Sequence, residues 1–114
     1  MEIVINKCFG GFGISHDAML RYAEIKGLVL AFKKSQYGSY EYYLDKIMDN
    51  DHYFWYGKIE RTDPALIQVV KELGEKANGD YASLEVVKIP DGINYEIDEY
   101  DGIETIHESH RSWG

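Results

Sequence analysis

The chain has 114 residues, 45% of them apolar and 28% charged, the composition of a single globular domain long enough to bury a core without disulfide or metal staples. Twenty acidic residues against twelve basic ones leave a net charge of −8, which excludes a DNA or RNA polymer and an anionic membrane surface as partners. The single cysteine, Cys8, rules out an internal disulfide. No basic leader opens the sequence and no apolar run nears the ~18 residues of a membrane span, so a cytoplasmic protein is expected.

In chain order, residues 2–7 are short, β-branched and bounded by glycine, which predicts a strand. Ser15 reads as an N-cap, Asp17 suits the first turn of a helix, and Gly27 supplies its stop. Leu28 to Phe32 reads as a second strand with Lys33 and Lys34 at its end. Residues 35–57 are ambiguous; a hairpin of Tyr40–Ile47 with His52–Tyr56 around Asp49-Asn50-Asp51 is one reading, although Tyr42, Tyr43 and Leu44 in succession break the alternation.

Asp63-Pro64 starts a second helix, with Leu66, Ile67, Val70, Leu73 and Ala77 at helical spacing and Asn78-Gly79 at its end. Gly74 then falls mid-helix, where close packing against another element would explain it. Ser83 to Ile89 reads as a strand stopped by Pro90. Asn94–Tyr100 and Ile103–His107 flank Asp101-Gly102, the strongest hairpin signal in the chain. The expected fold is α+β: one domain over residues 1–114, a mainly antiparallel sheet and two principal helices.

The chain holds ten tyrosines, six of them between Tyr37 and Tyr56 beside Phe54 and Trp55. Amphipathic aromatics suit a subunit interface and internal packing equally.

Gly10-Gly11-Phe12-Gly13-Ile14-Ser15, between a strand and a helix, has the outline of a phosphate loop. It lacks the P-loop lysine and the third glycine of the dinucleotide fingerprint, so a tight turn is favoured. His107 and His110 are three apart, and Arg111 stands where a zinc motif needs its second histidine, so no metal and no cofactor are expected. Cys8 has no reactive signature around it, and no spacing marks a catalytic carboxylate pair. Arg111, between His110 and Trp113, can pair bidentately with a phosphate or stack on an adenine. Tyr81 offers the opposite face of such a stack and Asn94 an amide for a base edge or ribose. Residue chemistry alone favours an ion pair between Arg111 and one of the many local acids.

The blocks "INKCFGGFGISHDAMLRYAEIKG", "RTDPALIQVVKELGEKANGDYASLEVVKIPD" and "YEIDEYDGIETIHESHRSW" together resemble the first Thoeris anti-defence family of phage proteins. The resemblance implies a sponge, not an enzyme. Such a protein binds the cyclised ADP-ribose signal of bacterial TIR enzymes without cleaving it, in the cytoplasm of the infected host, and so keeps the immune effector inactive. It implies homo-oligomers built on dimers, with ligand pockets at the subunit interface; some members also hold cyclic oligonucleotides. The H-R-x-W tail of the family matches His110, Arg111 and Trp113, and its asparagine and aromatic match Asn94 and Tyr81. Family pockets use more than one arginine, and here only three residues follow Arg111. The second would be Arg21, Arg61 or a residue of another subunit. Two other classes stay open: an enzyme degrading such a signal through His107 or His110, and an acidic inhibitor docking its hairpin on a basic protein.

Overall fold

A computed structural model describes residues 1–108. Within them the fold is α+β, with two α-helices and seven strands, every strand pairing antiparallel. The strands form three separate small sheets rather than one.

The first strand, β1 (Glu2–Asn6), pairs with β5 (Leu84–Lys88) in the register Ile3↔Val87 and Ile5↔Glu85. Ile3, Val4, Ile5 and Asn6 are all buried, so the strand is covered on both faces and its apolar run is continuous rather than alternating. Its other edge is closed without a strand. The Val4 amide donates to the Arg61 carbonyl at 2.9 Å and the Asn6 amide to Glu104 Oε1 at 2.8 Å.

Helix α1 (His16–Lys26) starts as the sequence indicates: Ala18 N–H donates to Ser15 Oγ at 3.1 Å, and Gly27 is left-handed at φ 71°. Ala18, Met19, Tyr22 and Ala23 form its buried face. Helix α2 (Pro64–Leu73) is capped by Asp63, whose Oδ1 accepts from the Ala65 amide at 2.8 Å. The other Asp63 oxygen accepts from Tyr22 Oη at 2.6 Å, so one cap also ties the two helices together.

Helix α2 stops at Leu73, short of the expected end at Ala77. Gly74 has φ 57° and ψ −128°, a conformation no other residue takes cheaply, and a tighter 3-10 turn follows over Gly74–Ala77. Packing does not explain this glycine, because a Cβ there would meet nothing within 4 Å.

Residues 30–54 form a three-stranded sheet in which β2 (Leu30–Lys34), β3 (Tyr40–Leu44) and β4 (Tyr53–Phe54) are neighbours in that order. The β2–β3 hairpin closes where Ser35 N–H donates to the Ser39 carbonyl, and it places Lys33 and Lys34 inside β2. The β3–β4 pairing is the expected one but shorter. Left-handed Asp45 and Lys46 end β3, and a 3-10 turn at Asn50–His52 intervenes before β4. Consecutive Tyr42 and Tyr43 are both buried because each face of β3 is covered. Tyr42 joins the core with Met19, Phe54 and Leu66, while Tyr43 packs on Tyr53 at 5.7 Å.

The last two strands, β6 (Tyr95–Tyr100) and β7 (Ile103–Glu108), pair over their full length from Tyr95↔Glu108 to Tyr100↔Ile103. Asp101 and Gly102 form the two-residue turn, both with positive φ (49° and 91°), as a primed turn requires. No helix among the described residues is long and apolar enough to cross a membrane.

Candidate functional site

The glycine run is a seat for the β6–β7 hairpin. Gly10 N–H donates to the Asp101 carbonyl at 3.2 Å. A Cβ on Gly102 would lie 2.2 Å from the Gly11 nitrogen, and one on Gly10 would lie 2.5 Å from Tyr81 Cβ. The Gly10 and Gly11 nitrogens thus face the hairpin turn, and the turn reading holds for a reason local sequence did not supply.

Beneath that seat a buried polar network moors the hairpin. Asn6, fully buried, donates from Nδ2 to the carbonyls of Cys8 and Gly102, each at 2.7 Å, and accepts from the Ser83 amide at 2.8 Å. Glu104, the other buried polar residue of the described chain, takes Arg61 Nη1 at 2.6 Å and Nη2 at 2.8 Å as well as the Asn6 amide. The Arg61 guanidinium lies 3.5 Å from the centroid of the Phe12 ring, with Tyr56 packed beyond it. Every buried side-chain donor and acceptor described has a partner, which is what lets a polar network stay inside a fold.

Of the expected site residues the structure describes two, Tyr81 and Asn94, and it sets them apart. Tyr81 sits in the turn before β5 rather than in a strand, left-handed at φ 63° and exposed, beside Gly10 at the turn end of the hairpin. Asn94, also exposed, immediately precedes Tyr95 at the opposite, open end. Five residue steps of strand separate Tyr95 from Tyr100, about 17 Å at ~3.4 Å per residue. His110, Arg111 and Trp113 lie outside the described residues, but β7 ends at Glu108 directly opposite Tyr95. Glu108, the last described residue, therefore lies at the open end of the hairpin, opposite the residue that follows Asn94.

An open cleft of about 550 Å³ lies at that same end, between residues 57–62 and β6. Lys58, Arg61 and Glu60 supply its charges, and Tyr95 and Ile97 form the hairpin wall. Arg61 spends both terminal nitrogens on Glu104, whereas Lys58 donates only to the Tyr53 carbonyl, at 2.7 Å, and has no carboxylate partner among the described residues. The Trp55 ring lies over Gly57 so closely that a Cβ there would be 2.2 Å from it, which puts a half-exposed indole at the rim. Lys58 and Tyr95 on a cleft of this volume, with Trp55 against its Gly57, supply a cation and rings of the kind a nucleotide site uses. Lys58, Tyr95 and Trp55 were not singled out from the sequence; the run Tyr53-Phe54-Trp55-Tyr56-Gly57-Lys58, aromatic and basic in an acidic chain, was the available signal.

The second arginine sought for a phosphate is not spare within the chain. Arg21 is bonded through Nε to Glu72 at 2.8 Å and through Nη1 to Glu24, so it joins the two helices. Arg61 belongs to the hairpin mooring. A larger depression of about 590 Å³ beside α2 is likewise self-neutralised, since its Lys71 pairs with Glu2 at 2.6 Å and its Glu72 with Arg21. His107 Nε2 lies 3.1 Å from Asp98 Oδ2 on the exposed face of the hairpin. Among the described residues no three His, Cys, Asp or Glu side chains are grouped to hold a metal.

Compared with known proteins, the chain matches no protein-family model, no curated protein and no solved structure.

Proposed function

We propose that this protein is a phage anti-defence sponge, which binds a cyclised ADP-ribose signal made by bacterial TIR enzymes and holds it uncleaved. The cleft between residues 57–62 and β6 is the observation that carries the reading. Lys58 and Tyr95 line it, and Tyr95, which follows Asn94 in the chain, pairs with Glu108, the last described residue. In this reading Lys58 and Arg111 are the cations for the two phosphates, and Tyr95 or Trp113 is the ring for the adenine.

The cleft of one chain is open, and slow release needs enclosure. A homo-oligomer built on dimers provides it. Tyr81, beside Gly10 at the turn end of the hairpin, takes no part in this cleft. Cyclic oligonucleotides, with the same phosphate and base chemistry, are the second ligand class of this reading.

The test is recovery. Protein mixed with cyclised ADP-ribose and then heat-denatured returns the ligand intact if it is sequestered. A cleaved product, formed beyond one equivalent per site, overturns the sponge reading in favour of an enzyme using His107 or His110.

A further inference from the structure

A second surface lies at the other end of the hairpin and does not depend on the nucleotide reading. Phe9, Tyr81 and Tyr100 are 62%, 81% and 76% exposed, and they leave the fold at one junction. Gly10, next to Phe9, touches Tyr81 through the position its Cβ would occupy and hydrogen-bonds Asp101, next to Tyr100. Three chain segments far apart in sequence thus bring three large aromatics to one place. Scattered exposed apolar side chains need no account, whereas three on one interlocked junction form a patch.

The junction is also built at a cost. Tyr81 is held left-handed at φ 63°, a conformation that disfavours a bulky residue, and Gly10 at φ 114° must lack a Cβ to let Tyr81 sit there. Asn6 ties the base of the junction, bonding both the Cys8 and Gly102 carbonyls. The aromatics are therefore carried on a backbone already fixed, so little ordering is needed when a partner arrives.

The charge around the patch selects the partner. Asp80 and Asp101, both exposed, adjoin Tyr81 and Tyr100 in the chain, in a protein of net charge −8. Aromatic faces beside carboxylates bind guanidinium better than ammonium. The guanidinium is planar, weakly hydrated, stacks on rings and pairs bidentately with carboxylates. The chain uses the same chemistry internally, where Arg61 lies 3.5 Å from the Phe12 centroid and pairs with both oxygens of Glu104. We infer that the Phe9–Tyr81–Tyr100 surface docks an arginine-bearing basic segment of a protein partner.

The experiment is a calorimetric titration of the full chain, at about 0.15 M salt to suppress the general attraction of an acidic protein for cations. The probe is a synthetic peptide alternating arginine and glycine, compared with its lysine counterpart. The arginine peptide binds more tightly than the lysine peptide. The double variant Tyr81→Ala, Tyr100→Ala weakens it about tenfold, the effect of losing two ring contacts. Tyr37→Ala, an exposed tyrosine on the β2–β3 turn, leaves it unchanged. Tyr81→Gly, which keeps the left-handed backbone, gives about a threefold loss, the share of one ring, without unfolding. Equal binding of the two peptides, no binding of either, or an effect of Tyr37→Ala as large as that of the double variant overturns the inference.

Discussion

Glu104 and Arg61 meet in a bidentate pair, 2.6 and 2.8 Å between their atoms, and through it the β6–β7 hairpin is held to β1. The pair is not an isolated surface bridge. Glu104 is buried, its oxygens also serve the Asn6 amide, and Arg61 reaches the Val4 carbonyl at 3.3 Å. Removing one partner strands the others in a place with little water.

Glu104→Ala is therefore expected to destabilise by about 2–4 kcal/mol, less than a fully dry pair because Arg61 keeps some solvent access. Urea denaturation of the variant measures it. Glu104→Gln, which keeps the volume and an acceptor, recovers part of the loss. A change within ~0.5 kcal/mol for Glu104→Ala means that the hairpin is moored by something else.

The glycines of the run separate packing from backbone strain. Gly10→Ala brings a Cβ within 2.5 Å of Tyr81 Cβ, and Gly11→Ala meets nothing, although both positions have positive φ (114° and 99°). Gly11→Ala is expected to cost about 1 kcal/mol, and Gly10→Ala at least twice that. Thermal melts of the two variants check the order, and equal losses contradict the seat.

Tyr81→Gly is expected to leave stability unchanged or raise it by up to about 1 kcal/mol, since only the strained backbone is relieved and the side chain is exposed. The same substitution at Tyr42, which is buried in the core, destabilises the fold. A falling melting temperature for Tyr81→Gly means that the ring packs within the chain.

Acid stability reports the helix pairing. Hydrogen bonds from Arg21 and Gln68 lower the Glu72 carboxyl to about 2, from an ordinary value of 4.5. Burial works to raise the Asp63 carboxyl, but bonds from Tyr22 and the Ala65 amide outweigh it, and its pKa is lowered too. A carboxyl lowered in the folded state stabilises above its unfolded pKa, and the stabilisation fades as pH falls through the folded value. Urea midpoints are therefore expected to decline from about pH 4.5 toward 2, with a shallower decline in Glu72→Gln. An identical decline in the variant contradicts the assignment.

Local signals explain why so much of the scaffold is legible in the sequence. Ser15, Gly27, Asp63 and the Asp101-Gly102 turn act within a few residues of themselves, so cap and turn chemistry places them without tertiary knowledge. Gly74 was misplaced for a related reason. The apolar period runs on to Ala77, but the helix ends where a glycine takes a conformation that its spacing does not reveal.

The candidate site was less legible because its geometry is set by distant segments. Arg61 reads as a spare cation until Glu104, 43 residues later, is seen to hold it. Tyr81 and Asn94 read as partners until the hairpin between their neighbours sets them at opposite ends. Lys58 carries no motif, and its value lies in having no acid opposite it among the described residues. The tyrosines divide in exposure, with Tyr42 and Tyr43 buried within the chain and Tyr37, Tyr81 and Tyr100 exposed.

The most direct test of sequestration is a calorimetric titration with cyclised ADP-ribose, run on the natural chain and on Lys58→Ala and Arg111→Ala. The expected result is saturable binding, weakened at least about tenfold in each variant by loss of a charge-assisted phosphate contact, with unfolding midpoints unchanged. Absence of binding by the folded natural chain contradicts the proposed function. Binding that neither substitution alters contradicts the site.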